Sequence, residues 1–271
     1  MELHARVRRV IAYGLRVLGK ITGAPAVRVP RTQCTVCGGG QWEQCGAGRC
    51  GRCTACGMVF ALDGPPIEEL IGRYHSGYLE QRKRQFNQPG GITWSESWVK
   101  DRSGIFERFL PEYECQIGAP RRALEVGCAE GKQMEILAGR GWEVTGVEIG
   151  EDMATEGRSR GLRIAVGAIE TVRFPRRHFH LVVMSHVLEH LRDPVAVVRR
   201  MRKWSVPEGR LIVETPILPD FDDRDHLQFF SESTLARALV EGGYRMTESF
   251  IHDYHERGRD FRDIIAYARR Q

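Results

Sequence analysis

Six of the chain's eight cysteines, Cys34, Cys37, Cys45, Cys50, Cys53 and Cys56, fall within 23 residues. Cys34-x-x-Cys37 and Cys53-x-x-Cys56 stand fifteen residues apart. Two such pairs offer four thiolates to one tetrahedral ion, the loop between them returning the chain. Gly38 and Gly57 follow the pairs and give each turn room to aim amides at sulfur. Cys50 also makes a CxxC with Cys53, so a second set of four stays open. The outer pairs are the expected ligands of a structural Zn2+. A disulfide module is the competing reading, but nothing else in the chain suggests export.

A second constellation is Leu124-Glu125-Val126-Gly127-Cys128-Ala129-Glu130-Gly131, an apolar strand ending in a turn that small residues make, with Glu148 twenty-one residues after Gly127. A glycine turn followed at that distance by a carboxylate marks a nucleoside site, the carboxylate accepting from ribose hydroxyls. A dinucleotide site needs a third glycine so that backbone can approach a pyrophosphate. Two glycines spaced GxxxG turn the chain sharply, with amides facing a ligand that has no phosphate to cradle. S-adenosylmethionine, an adenosine with a charged amino acid tail, is such a ligand. The competing reading is a tight strand-to-helix turn with no ligand.

Two further groups carry histidines. Glu214-Thr215-Pro216 ends an apolar run and leads into a polar loop with Asp222, Asp223, Asp225 and His226. His226 can take a proton from a hydroxyl or a carbon acid, with Asp225 biasing its protonation. A histidine that only caps the following helix is the alternative. His186-Val187-Leu188-Glu189-His190 has the HxxEH pattern of a zinc protease, which needs a helix to present both histidines to one metal. Here it directly follows the apolar strand Leu181–Met184 and is not expected on a helix, and His190 is expected to be packed or hydrogen-bonded.

On Glu125-x-Gly127-x-x-x-Gly131 and Glu148 the chain resembles the class I S-adenosylmethionine-dependent methyltransferases over roughly residues 120–270. The resemblance implies an α/β, Rossmann-like, seven-stranded and mostly parallel sheet with helices on both faces. It also implies cofactor contacts from Glu125, Gly127, Cys128, Gly131, Glu148, Ala168, Ile169 and Ser185. The chain departs from the family at Ala168, where an Asp often faces adenine, and at Phe179-His180, where Phe-Asp is usual. Members that join a cysteine-rich module to this domain include nucleotide-sugar C-methyltransferases. That likeness implies Asp225 and His226 as catalytic residues, Tyr74 and Tyr78 near the substrate, and a sugar or glycan precursor as acceptor.

The elements that position these groups follow from periodicity. Apolar residues at intervals of three and four over residues 3–21, with arginines between, predict a basic amphipathic helix that lies on an anionic membrane surface or packs on protein. The expected layout is helix and linker over 1–31, a zinc-ribbon-like module over 32–66, a helical connector and substrate-side cap over 67–118, and the methyltransferase domain over 119–271. Strands are expected near 122–126, 143–148, 162–166, 179–184, 209–214, 243–250 and 262–269. Helices are expected between the first five and over 94–110 and 231–241; the last two strands form a hairpin. The net charge of +5 sits in residues 1–31, where seven basic residues face one acidic, so the rest is near neutral. That balance argues against a nucleic-acid face and leaves an RNA methyltransferase as the weaker alternative. A non-catalytic zinc- and cofactor-binding interaction protein is the other. With no signal peptide and no apolar run of ~20 residues, a cytoplasmic protein, peripheral at a membrane through residues 3–21, is expected.

Overall fold

The computed structural model describes residues 31–63, 69, 72, 96–217, 225–256 and 259–271. The expected helix over 3–21, Tyr74, Tyr78, Asp222 and Asp223 lie outside them. Three short strands open the described chain: β1 (Trp42–Cys45), β2 (Cys50–Cys53) and β3 (Val59–Ala61). Two helices follow, α1 (Glu96–Phe109) and α2 (Pro111–Ile117). Then come β4 (Arg121–Val126), α3 (Lys132–Gly139), β5 (Trp142–Glu148), α4 (Glu151–Ser159) and β6 (Arg163–Val166). The order continues with β7 (Phe179–Ser185), a 3-10 turn (Leu188–His190), α5 (Pro194–Trp204), β8 (Ser205–Pro216) and β9 (Gln228–Phe229). It closes with α6 (Glu232–Glu241), β10 (Tyr244–Glu256) and β11 (Arg259–Arg270). No helix of the described residues is long and apolar enough to cross a membrane.

Every expected strand of the larger sheet is present, seven in all and mostly parallel. One expected helix is not. Residues 167–178 between β6 and β7 hold turns and irregular chain. Their buried apolar residues are Ala168, Ile169 and Val172, a set spanning barely one helical turn before Pro175. That is too short a stripe to hold a helix against a core.

The described chain falls into two compact units, one within Ile71–Phe174, the other within Ala26–Leu70 and Pro175–Gln271. In the first, β4, β5 and β6 run parallel. Cys128, Met134, Ala154 and Ile164 pack into one apolar cluster there. Gly131 lets this cluster close: its φ is +88°, and a Cβ would stand 2.3 Å from Leu162 Cδ1. Gly131→Ala is therefore expected to cost about 2–4 kcal/mol, the sum of a left-handed backbone and an overpacked contact, read as a lower melting temperature.

In the second unit β7 and β8 are parallel, β11 is antiparallel to β8, and β10 is antiparallel to β11. Residues 211–215 of β8 are all buried, as expected of a strand flanked by β7 and β11. Helix α5 starts at Pro194 with Asp193 accepting from the Ala196 amide, and α6 starts with a reciprocal Ser231–Thr234 capping box. The cysteine module belongs to this unit because its sheet β1-β2-β3 is extended by β9, which pairs Val59 with Phe229 and Phe60 with Gln228. Thr35 Oγ1 also donates to Gln228 Oε1 at 2.7 Å.

Candidate functional site

The cysteine module resolves which thiols converge. The sulfurs of Cys34, Cys37, Cys53 and Cys56 all lie within 4.8 Å of one another. The Cys34–Cys56 and Cys37–Cys53 Sγ pairs are each 3.5 Å apart. A tetrahedron with metal–sulfur bonds of ~2.3 Å has edges of ~3.8 Å, so the set is the size of a zinc cage. The Gly38 and Gly57 amides close the two knuckles on the carbonyls of Cys34 and Cys53. Burial works against a charge on Cys53, but the amides of Cys56 and Ala55 hold its thiol down at about 7. Burial pushes Cys34 and Cys56 up. Cys45 and Cys50 face each other across the β1–β2 hairpin, and Cys50 packs with Val59, Ala61, Leu227 and Phe229. They are outside the cage.

The glycine turn does something other than its spacing predicts. Gly127 N and Cys128 N both donate to Val147 O, Ala129 N donates to Glu148 Oε2, and Gly131 N to Cys128 O. These amides are spent on the protein, so they do not face a ligand. The turn is held against the end of β5 instead. The charged groups beside the turn are carboxylates. Glu125, Glu130 and Glu148 are 4 %, 2 % and 7 % exposed. Burial raises the pKa of Glu125 well above the carboxylate range, with Gln133 opposing it and Glu130 and Glu148 adding to it. Burial likewise raises Glu148, against the amides of Gly150, Ala129 and Ile149. Glu125 Oε1 accepts from Gln133 Nε2 at 3.2 Å, while Oε2 is buried without a hydrogen bond. Glu148 accepts from Ala129 N and Gly150 N at 2.8 Å each. Two carboxylate oxygens offer about four lone-pair sites, so three amides still leave one for a ligand hydroxyl. Glu130 and Glu148 raise Glu125, and Glu130 raises Glu148, so this region favours a cation over a diphosphate.

The other expected cofactor residues differ in kind. The Cys128 thiol is buried in the apolar cluster, and burial raises its pKa well above the ordinary value. Ala168 and Ile169 are buried, with Ala168 O accepting from the amides of Thr171 and Val172. Ser185, at the end of β7 in the other unit, donates a short hydrogen bond to Glu214 Oε2.

Around Glu214 the second unit gathers a histidine–carboxylate cluster that sequence reading saw only in parts. The HxxEH segment is not a continuous helix: His186 ends the strand with φ +51°, and Leu188–His190 is one 3-10 turn. His186 Nε2 lies 3.1 Å from Asp263 Oδ2, and Nδ1 lies 3.5 Å from Glu189 Oε1. Burial disfavours a charge on His186, but these carboxylates raise its pKa well above the ordinary histidine value. Burial also opposes the charge on Glu189, yet His186, with His190 and His226 behind it, brings that carboxyl down to about 2. Thr215 Oγ1 donates to Glu189 Oε2 at 3.1 Å. His226 is 8 % exposed, its ring set edge-on against His190 at 4.9 Å between centroids. His190 Nδ1 donates to the carbonyl of Asp225 at 3.0 Å, and Leu227 N donates to Glu189 O at 2.7 Å. Asp225 thus meets the cluster through its backbone. Glu189 and Glu214 carried a sequence signal, a charge inside or just after an apolar strand; Asp263 carried none.

A family model described as a methyltransferase domain matches residues 99–249. Among curated proteins, the ubiquinone biosynthesis O-methyltransferase of Marinobacter nauticus is 33 % identical over 106 residues, 36 % of this chain and 44 % of that protein. That of Acinetobacter baumannii is 25 % identical over 170 residues, 59 % of this chain and 62 % of that protein. The chain spans about half the length of the curated relatives it matches. Among solved structures, a Burkholderia thailandensis 1,6-didemethyltoxoflavin-N1-methyltransferase, with that substrate and S-adenosylhomocysteine bound, aligns with TM-score 0.59 at 17 % identity. It covers 79 % of this chain and 96 % of that one. The cyclase SpnF aligns with TM-score 0.60 at 15 % identity, over 76 % of this chain and 97 % of that one. Likeness at such identity shows the fold alone, and one fold here serves more than one chemistry.

Proposed function

Since the chain belongs to the methyltransferase domain family, we propose that it transfers the methyl group of S-adenosylmethionine to a hydroxyl of a small molecule. The observation that carries this reading is the group of buried carboxylates Glu125, Glu130 and Glu148 around the Gly127–Gly131 turn. A cofactor with an ammonium group, a sulfonium and a ribose fits it; a dinucleotide does not. Glu148 is assigned to the ribose hydroxyls, and Glu125, whose Oε2 is buried without a hydrogen bond, to the ammonium. When bound, S-adenosylmethionine supplies a methyl group already activated on sulfur. The protein's remaining tasks are to align the acceptor oxygen and remove its proton, for which His226 is the candidate base.

The names of the relatives favour oxygen as the methylated atom. The sugar or glycan acceptor rests on the loop at Asp225–His226 and the cysteine module, and the relatives named above do not add to it. The four converged thiols are read as holding a structural Zn2+, which would fix β1–β3 against β9.

Calorimetric titration with S-adenosylmethionine tests the cofactor, and mass analysis of phenolic and sugar acceptors tests the oxygen. Glu148→Ala is expected to weaken S-adenosylmethionine 10- to 100-fold, the worth of about 1.5–3 kcal/mol for hydrogen bonds to a charged group. An unchanged affinity in that variant would remove its ribose role. Absence of heat with the wild-type chain would favour the non-catalytic interaction protein.

A further inference from the structure

Glu189, Glu214 and Asp263 are each no more than 2 % exposed and surround one imidazole, that of His186. Burying a carboxylate costs several kcal/mol unless cations and hydrogen bonds compensate, and here three are buried in one cluster. The geometry around Asp263 is unusual in one respect. His186 Nε2 comes within 3.1 Å of Asp263 Oδ2, yet that buried oxygen accepts no hydrogen bond. At that distance the two atoms are spaced as two ligands of one ion are. Glu214 adds a carboxylate oxygen, and one donor atom from each of His186, Glu214 and Asp263 lies within 4.8 Å of the other two.

We propose that His186 Nε2, Glu214 and Asp263 form a binding site for a divalent cation of the Mn2+ type, separate from the cysteine cage. Two carboxylates and one imidazole suit a hard to borderline ion, whereas four thiolates select zinc. The contacts behind the ligands are those of a metal centre. The second ring nitrogen of His186 faces the Glu189 carboxylate at 3.5 Å, and Thr215 fixes that carboxylate in turn. Such an outer carboxylate orients a metal-bound histidine and sets its tautomer. His186 N donates to Glu214 O at 3.0 Å, which ties the first two ligands together through backbone. The left-handed conformation of His186, φ +51°, is one that a non-glycine residue keeps where its surroundings impose it, as at ligand clamps. The three ligands come from the residue after β7, the C-terminal part of β8 and the part of β11 paired with it, the strand edge where open α/β sheets bind ligands. The adjacent trio Glu189, His190 and His226 is also compact, but it has one carboxylate, already engaged with Thr215. On the methyl-transfer reading, an ion at His186 would hold the acceptor oxygen and lower its pKa as the proton leaves.

The test is a titration of the full, zinc-loaded chain with MnCl2, free Mn2+ being followed by electron paramagnetic resonance. One Mn2+ per chain is expected. Asp263→Asn should weaken it at least 10-fold, and His190→Ala should bind as the wild type does. The proposal is overturned if the wild-type chain takes up no Mn2+, if Asp263→Asn binds it equally well, or if His190→Ala loses the ion while Asp263→Asn keeps it. Circular dichroism and S-adenosylmethionine affinity report whether each variant is folded; Glu214→Gln replaces Asp263→Asn if the latter is not. Intact S-adenosylmethionine binding without Mn2+ uptake removes the metal site only. Mn2+ uptake without S-adenosylmethionine binding removes the methyltransferase reading only.

Discussion

Replacing His226 with alanine is expected to lower kcat about 100- to 10,000-fold, the usual worth of a positioned general base, while the S-adenosylmethionine affinity stays where it was. The affinity is expected to hold because the substitution leaves in place the carboxylates assigned to the cofactor, Glu125 and Glu148. The base assignment rests on chemistry and placement together. His226 lies in the segment between β8 and α6, is mostly buried, and neighbours a cluster of carboxylates and histidines that fixes its surroundings. Losing its ring also removes edge contacts with His190 and Phe229. A melting curve therefore accompanies the kinetics, so that a loss of fold is not read as a loss of base. Full turnover in a folded His226→Ala protein would end the assignment.

Removing the Zn2+ proposed for the cysteine cage is expected to have the second largest effect, and to reach beyond the module. Structural zinc contributes on the order of 10 kcal/mol in small metal-dependent folds. The strands it holds are short: β1 and β2 have four residues each and β3 three. Strands of that length are not stable alone. A strong chelator, or Cys34→Ser with Cys53→Ser, should unfold β1–β3 and release β9, which pairs with β3. Gln228 would lose Thr35 and Phe229 would lose Val59, two and three residues beyond His226. Turnover should fall with the metal. Cys45→Ser with Cys50→Ser should retain one zinc per chain by elemental analysis. A metal-free protein with unchanged melting and turnover would contradict the structural role.

Much of the fold was legible because its signals are local. Apolar runs and their spacing set the strands to within a few residues. The clearest failure, the missing helix after β6, lies where the apolar stripe is shortest. The convergence of Cys34, Cys37, Cys53 and Cys56, apart from Cys45 and Cys50, is visible only in three dimensions. The glycine turn was found correctly at Gly127–Gly131 but misread in detail. Spacing shows that a chain turns sharply; it does not show that Val147 O, nineteen residues later at its nearest, takes two of the turn's amides.

The sequence by itself determined the α/β class, the two CxxC knuckles and the pairing of a GxxxG turn with Glu148. Each depends on residues close in the chain or on the repeat of a single element. Tertiary structure alone decided the cluster at His186. Asp263 reaches it because β11 runs antiparallel to β8 in the register that sets Asp263 opposite Pro216. A slip of one residue would turn Asp263 to the opposite face and present Arg262 or Ile264 in its place. Register of that kind is fixed by the packing of whole strands, and no local pattern near Asp263 encodes it.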